Sequence, residues 1–119
     1  RKISLLTPYI DSVNQAMRRY LEEHGVTVLN MGGFCLESSL EMAKLPPQAI
    51  QAAALEIHRP DADAVFISCT AIRAAETLES LERDLGKPVL SSNQCLFWES
   101  LRLSGYTKPI EGFGQLMRH

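Results

Sequence analysis

The stretch from Ala62 to Glu82, "ADAVFISCTAIRAAETLESLE", decides the fold. It opens with an apolar run that shows little polar alternation, which is typical of a strand covered on both faces of a parallel sheet. From Thr70 onward the pattern predicts an amphipathic helix. A strand that leads into such a helix is half of a β-α-β unit, and Cys69 stands at the junction.

The same alternation runs along the whole chain. Three further stretches predict strands: "KISLLT" (2–7), "VTVLNMGGF" (26–34) and "KPVLSS" (87–92). Helices are predicted over 10–25, 36–60, 70–86 and 93–105, the second in two pieces because Pro46 and Pro47 interrupt it. Right-handed crossovers then give a four-stranded parallel sheet with helices on both faces, a Rossmann-like three-layer α/β domain over residues 1–119.

Composition narrows the function classes. The chain has 119 residues, 45% of them hydrophobic and 22% charged, with a net charge of -2. This balance predicts a globular domain and argues against nucleic-acid and membrane-surface partners. No apolar run approaches the roughly 18 residues of a membrane span, and no leader is predicted. Because the chain enters its first strand almost at once, without an initiator Met, we expect a segment of a longer protein.

The cysteines and histidines predict neither a disulfide framework nor a metal site. The three cysteines form no C-x-x-C pair, which favours a reducing compartment, the cytoplasm. The histidines are scattered without ligand spacing, and we expect them at the surface. These residues are Cys35, Cys69, Cys95, His24, His58 and His119.

The predicted strand ends carry uncharged hydrogen-bonding groups, at the edge where ligands gather in open parallel sheets. These residues are Thr7, Tyr9, Ser68, Thr70, Ser91, Ser92 and Asn93. A neutral pocket rich in donors suits a carboxylate better than a nucleotide. The first turn reads "LLTPYID", so neither the dinucleotide-binding fingerprint nor the P-loop is present there.

Cys69 is the candidate reactive group. A helix that begins at Thr70 would direct its positive end toward the sulfur and favour the thiolate. The same position also fits a small buried side chain beside a helix N-cap. Cys95 is expected to pack in the core, and Cys35 follows a Gly-Gly turn with no base nearby. Because no histidine falls at a strand end, the thiol is suited to moving a proton to or from carbon, or to attacking an activated alkene.

The segments "LLTPY", "FISCTAIR", "GKPVLSSNQCLFW" and "GFGQLM" together resemble the second half of the Asp/Glu racemase superfamily. The resemblance runs from Leu5 to Met117 and is greatest to the branch of maleate cis-trans isomerases, arylmalonate decarboxylases and ectoine-utilisation proteins. It implies two pseudo-symmetric α/β domains with the active site between them, and no metal or organic cofactor. This chain would be the second domain, with the N-terminal domain of the same enzyme as its missing partner.

The resemblance also implies roles for single residues. Cys69 corresponds to the catalytic cysteine of the second domain, Tyr9 to a tyrosine that hydrogen-bonds a substrate carboxylate, and the Thr70 N–H to a further carboxylate donor. Ser39 stands where the isomerases carry a substrate-contacting asparagine, and this departure favours an ectoine-utilisation or racemase-like protein. Other candidate substrate-binding residues, from their place at the strand ends, are Thr7, Ser92 and Asn93.

Three functions are compatible with these features. The first is a cofactor-independent, cysteine-dependent isomerase, racemase or decarboxylase that acts on a small mono- or dicarboxylate. The second is a carboxylate-binding module without chemistry of its own. The third, a receiver-like domain, would require acidic residues at the end of the first strand, where this chain has Thr7 and Pro8.

The surface of this chain that should contact the missing domain would be exposed in the isolated chain, and we expect it to cause self-association into a homo-oligomer. Arg73 is expected to pair with Glu76, and Trp98 to pack the fourth helix.

Overall fold

The computed structural model describes residues 1–119, and its four strands form one parallel sheet. The strands are β1 (Lys2–Thr7), β2 (Thr27–Gly33), β3 (Ala64–Ile67) and β4 (Val89–Ser91), in the order β2-β1-β3-β4. The predicted sheet is confirmed in strand number and direction. β1 and β3 are the central strands, which explains why β3 is wholly apolar and why the last four residues of β1 are all buried.

Five helices connect and flank the strands: α1 (Asp11–Glu23), α2 (Ser39–Ala43), α3 (Pro47–Ile57), α4 (Leu78–Leu85) and α5 (Ser92–Leu103). The chain moves from β1 to β2 in one direction along the sheet and from β2 through β3 to β4 in the other. Because such crossovers are right-handed, the reversal puts α1 on one face and α3 and α4 on the opposite face. The predicted three-layer arrangement follows from this order.

The main core lies between the sheet and the pair α3 and α4. Its side chains come from all three elements and include Leu6, Val65, Ile67, Val89, Ile50, Ala54, Leu78 and Leu81. The opposite face is covered more thinly, since α1 buries no residue. Most of the buried core therefore lies on the side of the sheet that α3 and α4 cover, and the connection from β3 to α4 runs on that side.

The helix predicted from Thr70 begins later than expected, and this prediction is wrong. Residues 70–74 form a loop, Ala75–Thr77 form a 3-10 turn, and α4 starts only at Leu78. The hydrogen bonds show the difference: the Thr70 carbonyl, which a helix starting there would bond to the Ala74 N–H, accepts from the Asn93 amide, and the Ala74 N–H donates to the Ile72 carbonyl. The division of the second predicted helix at its two prolines is confirmed, with Pro47 as the first residue of α3.

The order of the strands creates a crevice at the carboxyl edge of the sheet. β1 and β3 are neighbours, and the chain leaves them toward opposite faces, which defines a topological switch point where ligands bind in open α/β sheets. Tyr9 follows β1 and Cys69 follows β3, so both lie at this point. No helix is both long and apolar enough to cross a membrane.

Candidate active site

Cys69 lies two residues beyond the end of β3, at the centre of the carboxyl edge. It is 8% exposed, and its sulfur accepts a hydrogen bond from the Ala71 N–H at 3.3 Å. On the inner side the Sγ lies 3.8 Å from the Sδ of Met42. A loop amide therefore supplies the donor that we had expected from a helix N-terminus.

Tyr9 places a phenolic hydroxyl beside the cysteine. Its oxygen lies 3.1 Å from the Ser68 Oγ. Partial burial raises the pKa of Tyr9, the neighbouring Cys69 raises it further, and the Ser68 hydrogen bond opposes the change. The hydroxyl consequently stays protonated, and able to donate a hydrogen bond, over a wide pH range.

A short polar network fixes the loop that carries Tyr9. The buried Thr7 hydroxyl donates to the Asn14 side-chain oxygen and accepts from the Tyr9 N–H at 3.2 Å. The Asn14 amide in turn donates to the Tyr9 carbonyl at 3.3 Å. Thr7 thus lies at the predicted edge, but its hydroxyl is engaged within the protein. We assign it to holding Tyr9. Asn14 has the same task, and it could not be singled out from the sequence, where it is one of several polar residues in the first turns of α1.

Ser92 and Asn93 also lie at the edge and also bind backbone. The Ser92 Oγ accepts from the Cys69 N–H at 3.1 Å, and the Asn93 amide donates to the Thr70 carbonyl at 3.0 Å. Thr70 is exposed, and its own N–H has no acceptor in the chain. Thr70 therefore keeps an unengaged N–H at this edge, whereas the two α5 residues hold the loop beside it.

Ser39 lies apart from these contacts. It is the first residue of α2, its side chain is exposed, and no hydrogen bond joins it to another member of the set. The same segment instead contributes Met42, which is 7% exposed and contacts the sulfur. Met42 could not be singled out from the sequence, because a methionine at helical spacing looks like any other residue of the hydrophobic core.

The other candidate groups show no comparable environment. Cys35 is exposed, with a φ of 52°, and Cys95 is half-buried in α5, where burial raises the pKa of its thiol and keeps it neutral. No cluster of three or more metal-ligating side chains occurs. Arg73 forms the predicted ion pair with Glu76 at 2.9 Å.

The histidines lie mostly where they were expected. His24 and His119 are exposed, while His58 is half-buried, with a ring nitrogen that has no partner.

Fold and site together define a class of protein: a parallel α/β domain that presents a cysteine and neutral donors at its topological switch point. The model of the arylmalonate decarboxylase family matches residues 1–117, and the chain belongs to that family. The resemblance drawn from the sequence motifs is thereby confirmed.

Known proteins support the same assignment. Arylmalonate decarboxylase from Bordetella bronchiseptica is 31% identical over 122 residues, which cover 98% of this chain and 50% of the relative. Maleate isomerase from Nocardia farcinica is 28% identical over 119 residues, covering 99% and 47%. The chain thus spans about half the length of the curated relatives it matches.

Solved structures show the same half-length match. A cysteine-to-serine variant of Nocardia farcinica maleate cis-trans isomerase, with a covalently bound succinylcysteine intermediate, superposes with a TM-score of 0.95 at 25% identity, covering 99% of this chain and 49% of that one. Unliganded arylmalonate decarboxylase superposes with a TM-score of 0.89 at 27% identity, covering 100% and 52%. Both are similar to this chain over about half of their own length.

Proposed function

We propose that this domain supplies one wall of the active site of a cysteine-dependent enzyme that acts on a small carboxylate. The observation that carries the proposal is the placement of Cys69. Its sulfur accepts an N–H bond, a neutral tyrosine hydroxyl lies beside it, and the Thr70 N–H next to it is free. Such donors stabilise the charge that appears on a carboxylate when the carbon next to it becomes a carbanion.

The first reaction that this wall supports is decarboxylation of a malonate-type acid. The C–C bond to one carboxylate breaks and releases CO₂, and its electron pair passes into the remaining carboxylate to form an enediolate. The Tyr9 hydroxyl and the Thr70 N–H would hydrogen-bond the two oxygens that gain charge. The Cys69 thiol then donates its proton to the carbon, and the resulting thiolate recovers a proton from water.

The second reaction is cis-trans isomerisation of an unsaturated diacid. The Cys69 thiolate adds to one alkene carbon, and the displaced electron pair moves toward the carboxylate on the other carbon. The former double bond is now single and can rotate. Elimination of the thiolate restores the alkene in the opposite geometry. Protonation of the carbon that bears the displaced electron pair would give a succinylcysteine, the group that is covalently bound in the similar isomerase.

The other wall of the site would come from a second domain. The half-length match to both relatives supports this. From the sequence motifs we propose that the present domain is the second in the chain, after its partner. Racemisation would need a further acid or base from that partner, on the opposite face of the substrate. Exposed apolar side chains on α5, Leu96, Phe97 and Leu103, offer a surface for a domain or for a second copy of the chain. The free cysteines support a cytoplasmic location.

The test uses the full-length protein and two probe substrates. Phenylmalonate reports decarboxylation through release of CO₂, and maleate reports isomerisation through formation of fumarate. We expect one of the two to be turned over and Cys69→Ser to lower that rate at least 10³-fold. Cys95→Ser, which alters a half-buried thiol on α5, is the matched control and should retain activity. Binding of these acids without turnover would instead support a carboxylate-binding module.

A further inference from the structure

The first residues of α5 form two hydrogen bonds to the loop that follows β3. Ser92 and Asn93 are its first two residues, and the Ser91 capping box, completed by Gln94, fixes that end of the helix. The Ser92 Oγ holds the Cys69 N–H, and the Asn93 amide holds the Thr70 carbonyl. We call this pair of hydrogen bonds the α5 clasp.

The α5 clasp encloses one peptide group. The Cys69 N–H belongs to the peptide before Cys69, and the Thr70 carbonyl belongs to the peptide after Thr70. Between them lies the Cys69–Thr70 peptide, whose N–H is the free donor of the site. Peptide groups are planar and turn only about the φ and ψ bonds that join them. Fixing the outer two therefore restricts the middle one, and with it the direction of the Thr70 N–H.

Cys69 requires such a restraint. Its φ of 119° lies in the region that favours glycine. A side chain in that conformation is strained, and the strain persists only where surrounding contacts over-determine the backbone. The Cys69 N–H is bound to Ser92, and the Cys69 sulfur is bound to the Ala71 N–H, so both ends of the residue are held.

We propose that Ser92 and Asn93 are positioning residues, which hold the thiol of Cys69 and the N–H of Thr70 in their reactive arrangement. The proposal rests on the proposed function of Cys69. From the sequence we had expected these two residues to contact the substrate directly, and the proposal gives them an indirect role instead. Their side-chain atoms are engaged with backbone, and their effect on the substrate passes through the loop.

The experiment removes the acceptor and then restores it in the full-length protein. Ser92→Ala should lower kcat at least tenfold with KM changed less than threefold, because the positioned groups act on charge that develops during the reaction. In a crystal structure of this variant, the φ of Cys69 should become negative. Ser92→Thr keeps an oxygen acceptor and should recover kcat to within threefold and the positive φ. Ser100→Ala removes an exposed α5 hydroxyl that bonds only the Leu96 carbonyl, and it should change none of these values.

A double variant tests whether both bonds serve one peptide. Asn93→Asp keeps the shape of the side chain but loses the N–H donor, and by itself it should also lower kcat. Combined with Ser92→Ala, the loss should be smaller than the product of the two single losses. If Ser92→Ala fails to fold, Asn93→Asp alone decides.

Unchanged kcat and a positive φ in the single variants would overturn the proposal, as would fully multiplicative losses. Failure of the proposed function would look different: the wild type would turn over neither maleate nor phenylmalonate, while the φ of Cys69 in the variants would still report on the clasp.

Discussion

Gly33 at the end of β2 is predicted to be irreplaceable, because the site begins where β2 touches β1. Gly33 pairs with Thr7, and the next residue, Phe34, donates its N–H to the Thr7 carbonyl at 3.2 Å. A Cβ added at Gly33 would lie 1.7 Å from the Thr7 carbonyl oxygen and 2.8 Å from its carbon. Both atoms are backbone, so no side-chain rotation relieves the overlap, and the strands must separate.

Gly33→Ala should therefore destabilise the domain by about 3 kcal/mol, the upper part of the range for an overpacked site. For a domain of this size that corresponds to a Tm lower by roughly 10 °C. Because the displaced Thr7 also holds the Tyr9 N–H, the residual folded enzyme should show a higher KM.

The matched control is Gly25→Ala, at a glycine with a φ of +82° and no atom within 4 Å of the added Cβ. It should cost only the backbone strain of about 1 kcal/mol. Differential scanning calorimetry measures both. Equal Tm values for the two variants would refute the argument from the strand contact.

Three further predictions concern the site and its support. Tyr9→Phe should lower kcat/KM by about 10²-fold, the loss typical of removing one hydrogen-bond donor to a developing charge. Because the pKa of Tyr9 is raised, the wild-type hydroxyl should remain a donor up to pH 10. A difference in kcat/KM between wild type and variant that disappears by pH 8 would contradict the assignment. Burial and the nearby Lys87 lower the pKa of His58, so as the pH falls the unfolded chain takes up this proton at a higher pH than the folded chain does. The free energy of unfolding should therefore fall as the pH drops through the usual histidine value of 6.5. Urea titrations at pH 8 and pH 5 should show a much smaller loss in His58→Gln than in the wild type. Glu82→Gln should lower the free energy of unfolding by about 2 kcal/mol, because the buried carboxylate accepts from the Val89 and Gln115 N–H groups and an amide would present a donor to one of them. The control Glu99→Gln, at an exposed residue, should show no measurable change in the same titration.

The sheet could be read from the sequence because its signals are local. Each central strand contains a short apolar run, and each is followed by a turn or a helix start, so the number and the parallel direction of the strands followed from the alternation of strands and helices along the chain. Pro46 and Pro47 marked the break between α2 and α3 because proline has no N–H to continue a helix. Cys69 could be placed at the carboxyl edge by the same reasoning, since it follows the third strand directly.

The loop after Cys69 could not be read in this way. The residues from Thr70 to Thr77 are compatible with a helix, whereas the contacts that hold this segment as a loop come from Ser92 and Asn93, which are distant in sequence. For the same reason these two side chains were expected to face the substrate. One local signal was available and missed: Ser91 followed three residues later by Gln94 is a capping box, which fixes the start of α5 one residue earlier than predicted.

The account depends on the sulfur of Cys69 being both reachable and essential, and alkylation measures the two together. Iodoacetamide is added to the full-length protein, the thiolate displaces iodide, and peptide mass spectrometry follows each cysteine while the remaining activity is assayed. We predict that activity falls in proportion to labelling of Cys69 and that saturating substrate slows both. Activity that persists after Cys69 is labelled, or that disappears with labelling of Cys35 while Cys69 stays free, would contradict the account.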